Sequence, residues 1–200
     1  AGTSASDTGG RVSIVTGFSS TSTSGALLLR THDSGTAGVS GHLVLSTGYA
    51  TSGNSGALFI GSGPSTVGRG GSVYVTVGSG TSGSGGEMKL VAGSSSFSTG
   101  GRLSVIAGVG GKSTSGALVL QTSDAGTAGV SGIAILSTGL STEGNSGSLY
   151  IGSGEASTGR SGSVYVTAGT GDSGDGGEIA ITAGTSASDT GGRVSIVTGF

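Results

Sequence analysis

Three glycine-rich runs in this chain have the spacing of nucleotide-binding turns. Gly78–Gly83 and Gly169–Gly174 fit the dinucleotide pattern, and Gly108–Ser113 is similar to a phosphate-binding loop. Such turns hold phosphates because a helix begins directly after them and its amino-terminal dipole faces the anion. No helical pattern follows the first two runs, and in the third Ile106 occupies the position of the leading glycine. Glycine supplies 47 of the 200 residues, so chance matches are expected, and we predict no cofactor.

Two polar clusters are the other candidates for chemistry. His32–Ser34 contains the residue types of a hydrolytic triad, but triad members normally converge from separate segments. In the internal copy of this run, Ser123–Ala125, serine replaces the histidine and alanine replaces Ser34. Asp172, Asp175 and Glu178 offer the oxygen ligands that calcium prefers, yet the equivalent residues 91 positions earlier retain only one carboxylate. We therefore predict no catalytic residue, no metal site and no enzyme activity.

The elements that position these runs are defined by a glycine repeat. The second residue of each Ser-Gly or Gly-Gly pair recurs at every fifteenth position, as from Gly10 to Gly25. Two intervals are one residue longer, and they lie 91 residues apart. We name these residues marker glycines and count offsets from each of them. They are Gly10, Gly25, Gly41, Gly56, Gly71, Gly86, Gly101, Gly116, Gly132, Gly147, Gly162, Gly177 and Gly192.

Six of these repeats form a super-repeat of 91 residues, so the chain contains super-repeats at 10–100 and 101–191. Ala183–Phe200 then repeats Ala1–Phe18 letter for letter. Repeats this short cannot bury a core alone and must act together. We therefore predict that residues 1–200 are a single continuous repeat array, a window of a longer chain.

Each repeat alternates apolar and other residues with a period of two. Offsets 2 and 4 are apolar and offset 6 is small, as in Val12, Ile14 and Thr16, which is the pattern of a half-buried strand. The remaining eight residues favour turns and can just span back the roughly 23 Å that a seven-residue strand covers. We predict an all-β fold. It is a parallel β-solenoid (β-helix) with one fifteen-residue repeat per rung and six rungs per 91-residue super-repeat, continuing as a fibril.

Residues one repeat apart support rungs that stack in register. At offset 1 Glu87 precedes Arg102 by one repeat, and at offset 3 Phe59 precedes Tyr74. Both pairings recur 91 residues later, and such neighbours stabilise adjacent strands. Two alternatives stay open: a rung that contains two repeats, and an antiparallel sheet in which the repeats run alternately up and down.

Offset 3 would face away from the core of this solenoid, yet it is apolar in four successive repeats of each super-repeat. Contiguous exposed apolar patches mark contact sites, so we predict a lateral contact patch between copies of the chain. In the two-repeat rung this face would be partly internal. The patch comprises Leu28, Val44, Phe59, Tyr74, Val119, Ile135, Tyr150 and Tyr165.

Composition excludes several kinds of partner. Eight basic and ten acidic residues are scattered along the chain and give a net charge of −2, so no basic stripe exists to bind nucleic acid. Apolar runs are far shorter than the roughly 20 residues of a membrane span. No cysteine is present, so no disulfide forms. The dense hydroxyls of 19–24 and 94–96 lead us to predict O-linked glycans.

The phrase Ser-Gly-x-Leu-x-Leu-Ser-Thr-Gly-x-Ala-Thr-Ser-Gly-x-Ser-Gly, Ser40–Gly56, resembles Ser/Gly/Thr-rich tandem-repeat proteins of algae, diatoms and other microbial eukaryotes. The repeat also resembles the β-solenoid fibres, adhesins and insect-type antifreeze proteins. These resemblances imply a structural protein, extracellular or at the cell surface, that assembles with itself into a fibril without catalysis. The alternatives are an ice-binding solenoid and an adhesin stalk or spacer. Ice binding requires outward threonines in register, whereas offset 5 carries Val15, Arg30 and Ser46.

Overall fold

The backbone consists of open stretches separated by sharp bends. The structure is a computed structural model that describes residues 2–5 and 8–199, and among these residues it contains neither a helix nor a strand. The Cα positions group the chain into two units, Ala1–Arg102 and Leu103–Phe200. Each unit is built from the same two local elements, an open stretch and a bend.

The bends recur with the spacing of the marker glycines. From residue 8 onward, the first unit bends at residues 20–22, 36–38, 51–53, 66–68, 81–83 and 96–98. The second unit bends at residues 111–113, 127–129, 142–144, 157–159, 172–175 and 187–189. One step between successive bends in each unit is a residue longer than the others, at the place where the glycine repeat also lengthens. The sequence repeat therefore has a structural counterpart, which is one bend per repeat.

In several repeats the bend lies at the tip of a loop whose two ends are hydrogen-bonded. The backbone N–H of Gly25 donates to the carbonyl oxygen of Gly17 over 2.9 Å, and Gly116 donates to Gly108 over 2.8 Å. The return segment was predicted to cross about 23 Å to the start of the next strand. Instead, in these loops the segment reverses direction, and its last residue is hydrogen-bonded to its first. We name offset 7 through the next marker glycine the loop, and offsets 1–6 the arm.

Hydroxyl groups at offset 6 close further loops. The Ser62 hydroxyl donates to the carbonyl oxygen of Gly71 over 2.7 Å, across nine residues. The Thr31 hydroxyl makes the same bond to Gly41 over 3.2 Å, across ten residues. The extra residue of the longer repeat is therefore accommodated inside the loop, and the arms on either side keep their offsets.

The same close approach explains why the marker residue is glycine in several repeats. A Cβ atom on Gly71 would lie 2.9 Å from the Cβ of Ser62, and one on Gly86 would lie 2.6 Å from Cγ1 of Val77. Gly63, at offset 7, has no such neighbour within 4 Å. At these two marker positions a side chain would fit only if the facing residue at offset 6 moved.

Two different devices shape ten of the twelve bends from residue 8 onward. In one, the serine at offset 9 accepts a hydrogen bond from the backbone N–H three residues later, as Ser19 does from Ser22 over 2.9 Å. In the other, a glycine adopts positive φ, which side chains disfavour, as Gly53 does at +97°. The other serine-capped bends begin at Ser65, Ser95, Ser141 and Ser186. The other positive-φ glycines are Gly38, Gly83, Gly129 and Gly174. No loop in the described part of the chain uses both devices.

The described residues contain no buried core. The accessible surface of the chain is 20086 Å², against about 8,200 Å² expected for a folded protein of its mass, 18.5 kDa. Apolar side chains of the arms are therefore in contact with solvent. Within the two units, local loop closure supplies the hydrogen-bonded structure and hydrophobic burial supplies little.

The predicted parallel β-solenoid is wrong, because residues 2–5 and 8–199 contain no strand. The alternatives of a two-repeat rung and an antiparallel sheet are wrong for the same reason. A sheet requires each arm to be hydrogen-bonded to another arm. No backbone–backbone hydrogen bond between described residues involves an arm, and in several repeats the return segment instead closes on itself. The predicted neighbour pairs Glu87 with Arg102 and Phe59 with Tyr74 depended on adjacent strands, so they have no basis in this structure. The single continuous array over residues 1–200 stays a prediction.

Candidate functional site

The eight residues of the predicted lateral contact patch are all exposed. Their exposed fractions range from 70% for Val119 to 91% for Phe59 and Tyr150. Exposure alone does not single them out, because apolar residues at other offsets also face solvent. Whether the patch contacts another copy therefore stays a prediction.

Alternation along the arm is visible in the exposed fractions. In the arm after Gly25, Leu27 and Leu29 are each 56% exposed, whereas Leu28 between them is 76% exposed. We name the side chains at offsets 2 and 4 the inner row and those at offset 3 the outer row. In this arm the inner row is partly sheltered by its own chain, whereas in the arm after Gly116 the inner-row Leu120 is 83% exposed and the outer-row Val119 is 70% exposed.

The inner row is the larger of the two surfaces. It is occupied by an aliphatic side chain or methionine at both offsets in nearly every repeat, with Ala134 the one small residue among them. The outer row is apolar in four successive repeats of each super-repeat. Polar or small residues, such as Lys89 and Ser104, occupy it in the other repeats. Every repeat therefore contributes to the inner row, whereas the outer row is interrupted.

The structure does not assemble the catalytic candidates into a site. His32 Nδ1 lies 3.3 Å from the carbonyl oxygen of Asp33, the next residue, within an exposed loop. Across the described residues, no group of three or more metal-ligating side chains gathers, so Asp172, Asp175 and Glu178 do not come together. The run 78–83 ends in a bend at Gly83, whose φ is +88°, and the run 169–174 ends in the same way. Neither run precedes a helix in the described chain.

Neither a pocket nor a membrane-spanning helix occurs among the described residues.

Comparison with protein-family models, with curated proteins and with solved structures gives no match to this chain.

Loop-closing residues were missed by sequence reasoning. The serines at offset 9 were interpreted as part of hydroxyl-rich loops, whereas five of those described cap a bend. A signal was present: where offset 9 is not serine, glycine often stands at offset 12, as in Ala50 with Gly53 and Gly80 with Gly83. This exchange between two turn-forming residues would have predicted a bend in each loop.

Proposed function

We propose that the chain is a structural repeat protein that associates with copies of itself into an extracellular fibril and carries no catalytic site. The observation that carries the proposal is the exposure of the same apolar positions in repeat after repeat. Leu43 and Leu45, for example, are 58% and 57% exposed. Exposed apolar surface favours association by about 25 cal/mol per Å² removed from water.

Repetition determines the form of the association. A surface that recurs along a chain can bind a second copy at many equivalent places, and binding that does not close on itself extends into a filament. The contact between such filaments is proposed to be the outer row, in the lateral contact patch described above. Tyr74 and Tyr150 are the large side chains there, at 86% and 91% exposed.

An extracellular or cell-surface location and O-linked glycans are part of the same proposal. Both are supported by low charge and by the hydroxyl-rich loops, whose side chains are exposed. Glycans on loops would leave the apolar arms accessible for assembly. The mass of the intact protein from its native source tests this part, since the bare polypeptide mass would contradict glycosylation.

Assembly of the purified 200-residue chain tests the central proposal. We expect sedimentation to show a concentration above which the chain leaves the monomer pool, and electron microscopy of that material to show filaments. A chain that stays monomeric at every concentration, with dispersed particles in the images, would contradict the proposal.

A further inference from the structure

The arms leave their backbone groups unpaired as well as their side chains exposed. Five backbone–backbone hydrogen bonds join described residues, and each runs from a marker glycine to the residue eight positions earlier. None involves an arm residue at offsets 1–6. In the described chain the arms therefore depend on water for hydrogen bonds that a neighbouring backbone would otherwise supply.

The loops, in contrast, satisfy many of their own polar groups. In the loop from Gly17 to Gly25, Gly25 donates to Gly17, and Ser19 accepts from the N–H groups of Thr21 and Ser22. The backbone of this loop therefore has fewer unpaired groups to offer a partner than an arm has. The surface that gains most on binding is the arm, with its inner row and its free backbone edge.

We infer that a second copy of the chain covers the arms, with its own arms aligned backbone to backbone and its inner row packed against theirs. The pairing is between copies, not between successive repeats of one chain. This inference rests on the proposed function and specifies which surface performs it.

The spacing of the arms identifies the occupant. Each six-residue arm, about 20 Å when extended, is followed by a loop, and the marker spacing lengthens by one residue once in every super-repeat. A partner that pairs with successive arms must interrupt its own paired segments with loops at the same period. A second copy meets this requirement because it has the same sequence and therefore the same spacing of arms and loops.

Surface area is sufficient for such a contact. The chain exposes 20086 Å², which exceeds the roughly 8,200 Å² of a compact protein of this mass by about 12,000 Å². A stable protein–protein interface needs about 1,200–2,000 Å². The exposed surface of the chain is therefore several times larger than such an interface requires.

Hydrogen exchange, followed by mass spectrometry, compares the dispersed chain with the assembled one. We expect arm amides to exchange slower on assembly by on the order of 100-fold, because they become hydrogen-bonded and shielded from water. We expect loop amides such as those of Ser22 and Gly25 to change little. Protection confined to the loops would overturn the inference.

Matched double variants test the side chains. Val75→Ser with Val166→Ser removes two equivalent inner-row residues, each 70% exposed. Val39→Ser with Val130→Ser removes two equivalent loop residues, 91% and 95% exposed. We expect the arm pair to raise the concentration of unassembled chain about tenfold or more, and the loop pair to change it less than about twofold.

The outcomes separate this inference from the proposed function. If the double variant Val75→Ser, Val166→Ser assembled at the same concentration as the wild-type chain, the inference would be overturned and the proposed function would stand. This holds whatever the loop double variant does. Failure of the wild-type chain to assemble would instead overturn the proposed function. Folding of a core does not complicate the comparison, because the substituted side chains are already exposed.

Discussion

The arms, of six residues, and the loops, of nine or ten, differ in where their interactions lie. A loop is closed by its own residues, through bonds such as Gly101 N–H to the carbonyl of Gly93 over 2.8 Å. An arm carries larger apolar side chains, such as Leu103 and Val105, and each of these is 60% exposed. Local turn chemistry is therefore satisfied within one copy, whereas the apolar pattern requires a surface that one copy does not provide.

The largest effect is expected when a side chain is placed on a marker glycine. In Gly71→Ala the new Cβ would lie 2.9 Å from the Cβ of Ser62, an atom that cannot move without the backbone. We expect loop closure to become less favourable by about 1–3 kcal/mol, as in overpacked sites, and the closed population to fall accordingly. Nuclear Overhauser contacts between residues 62 and 71, measured on the dispersed chain, report the closed loop.

Gly63→Ala is the matched control for this substitution. It adds the same methyl group next to Ser62, at a position with no neighbour within 4 Å. We expect it to retain the contacts between Ser62 and Gly71. Equal loss of these contacts in both variants would show that helix or strand propensity, and not close approach, explains the marker glycine.

A smaller effect is expected at a positive-φ glycine. Gly53 has φ of +97°, and Gly53→Ala places a Cβ in a backbone conformation that costs about 1–2 kcal/mol for residues other than glycine. We expect the bend at 51–53 to open and the contact between Thr47 and Gly56 to weaken in nuclear magnetic resonance spectra. Gly48→Ala, in the same loop and without positive φ, is the control.

Exchange of one device for the other sharpens this test. Adding Ala50→Ser to Gly53→Ala supplies a hydroxyl at offset 9, the position of the capping serines in five other loops. We expect partial recovery of the contact between Thr47 and Gly56, because a hydroxyl that caps a backbone N–H stabilises the same kind of bend. No recovery would mean that the two devices form bends of different shape.

The sequence is sufficient to predict the fifteen-residue repeat of the bends. It is insufficient to predict which surface covers the apolar side chains of the arms. Glycine at fixed spacing acts locally, since the residue that excludes its side chain lies nine or ten positions away, as Ser62 does for Gly71. Alternation of Leu27 and Leu29 has no such local partner. It indicates a face suited to burial and does not state whether the same chain covers it, because strand formation depends on neighbours.

The error in the fold prediction has a specific cause. Eight residues are long enough to span a strand, and this length was interpreted as a traverse. Length is also compatible with a closed loop, and the serine caps and positive-φ glycines decide between the two. Ser19 and Gly53 are turn residues inside this segment, and they shape the bends at 20–22 and 51–53. A bend in the middle predicts reversal, whereas a traverse requires an extended middle.

The smallest effect is expected from a single capping serine, because its loop is held at several points. Ser19 Oγ accepts from Ser22 N–H over 2.9 Å, and Ser19→Ala removes this bond at a cost of about 1 kcal/mol. We expect the Ser22 amide to exchange with solvent about fivefold faster. The closure of the loop by Gly25 N–H to Gly17 and by the Thr16 hydroxyl to Gly25 over 3.0 Å does not involve Ser19 and should persist.

Ser20→Ala removes a neighbouring hydroxyl of the same loop and serves as the control for Ser19→Ala. Its amide-exchange profile should match that of the wild-type chain. Because Gly53→Ala strains its own backbone while Ser19→Ala only removes a bond, the serine variant should keep its loop ends together and the glycine variant should not. Loss of the Gly17 to Gly25 closure in Ser19→Ala would show that the bend holds the loop ends together, so that the closing bonds form only after the bend has formed.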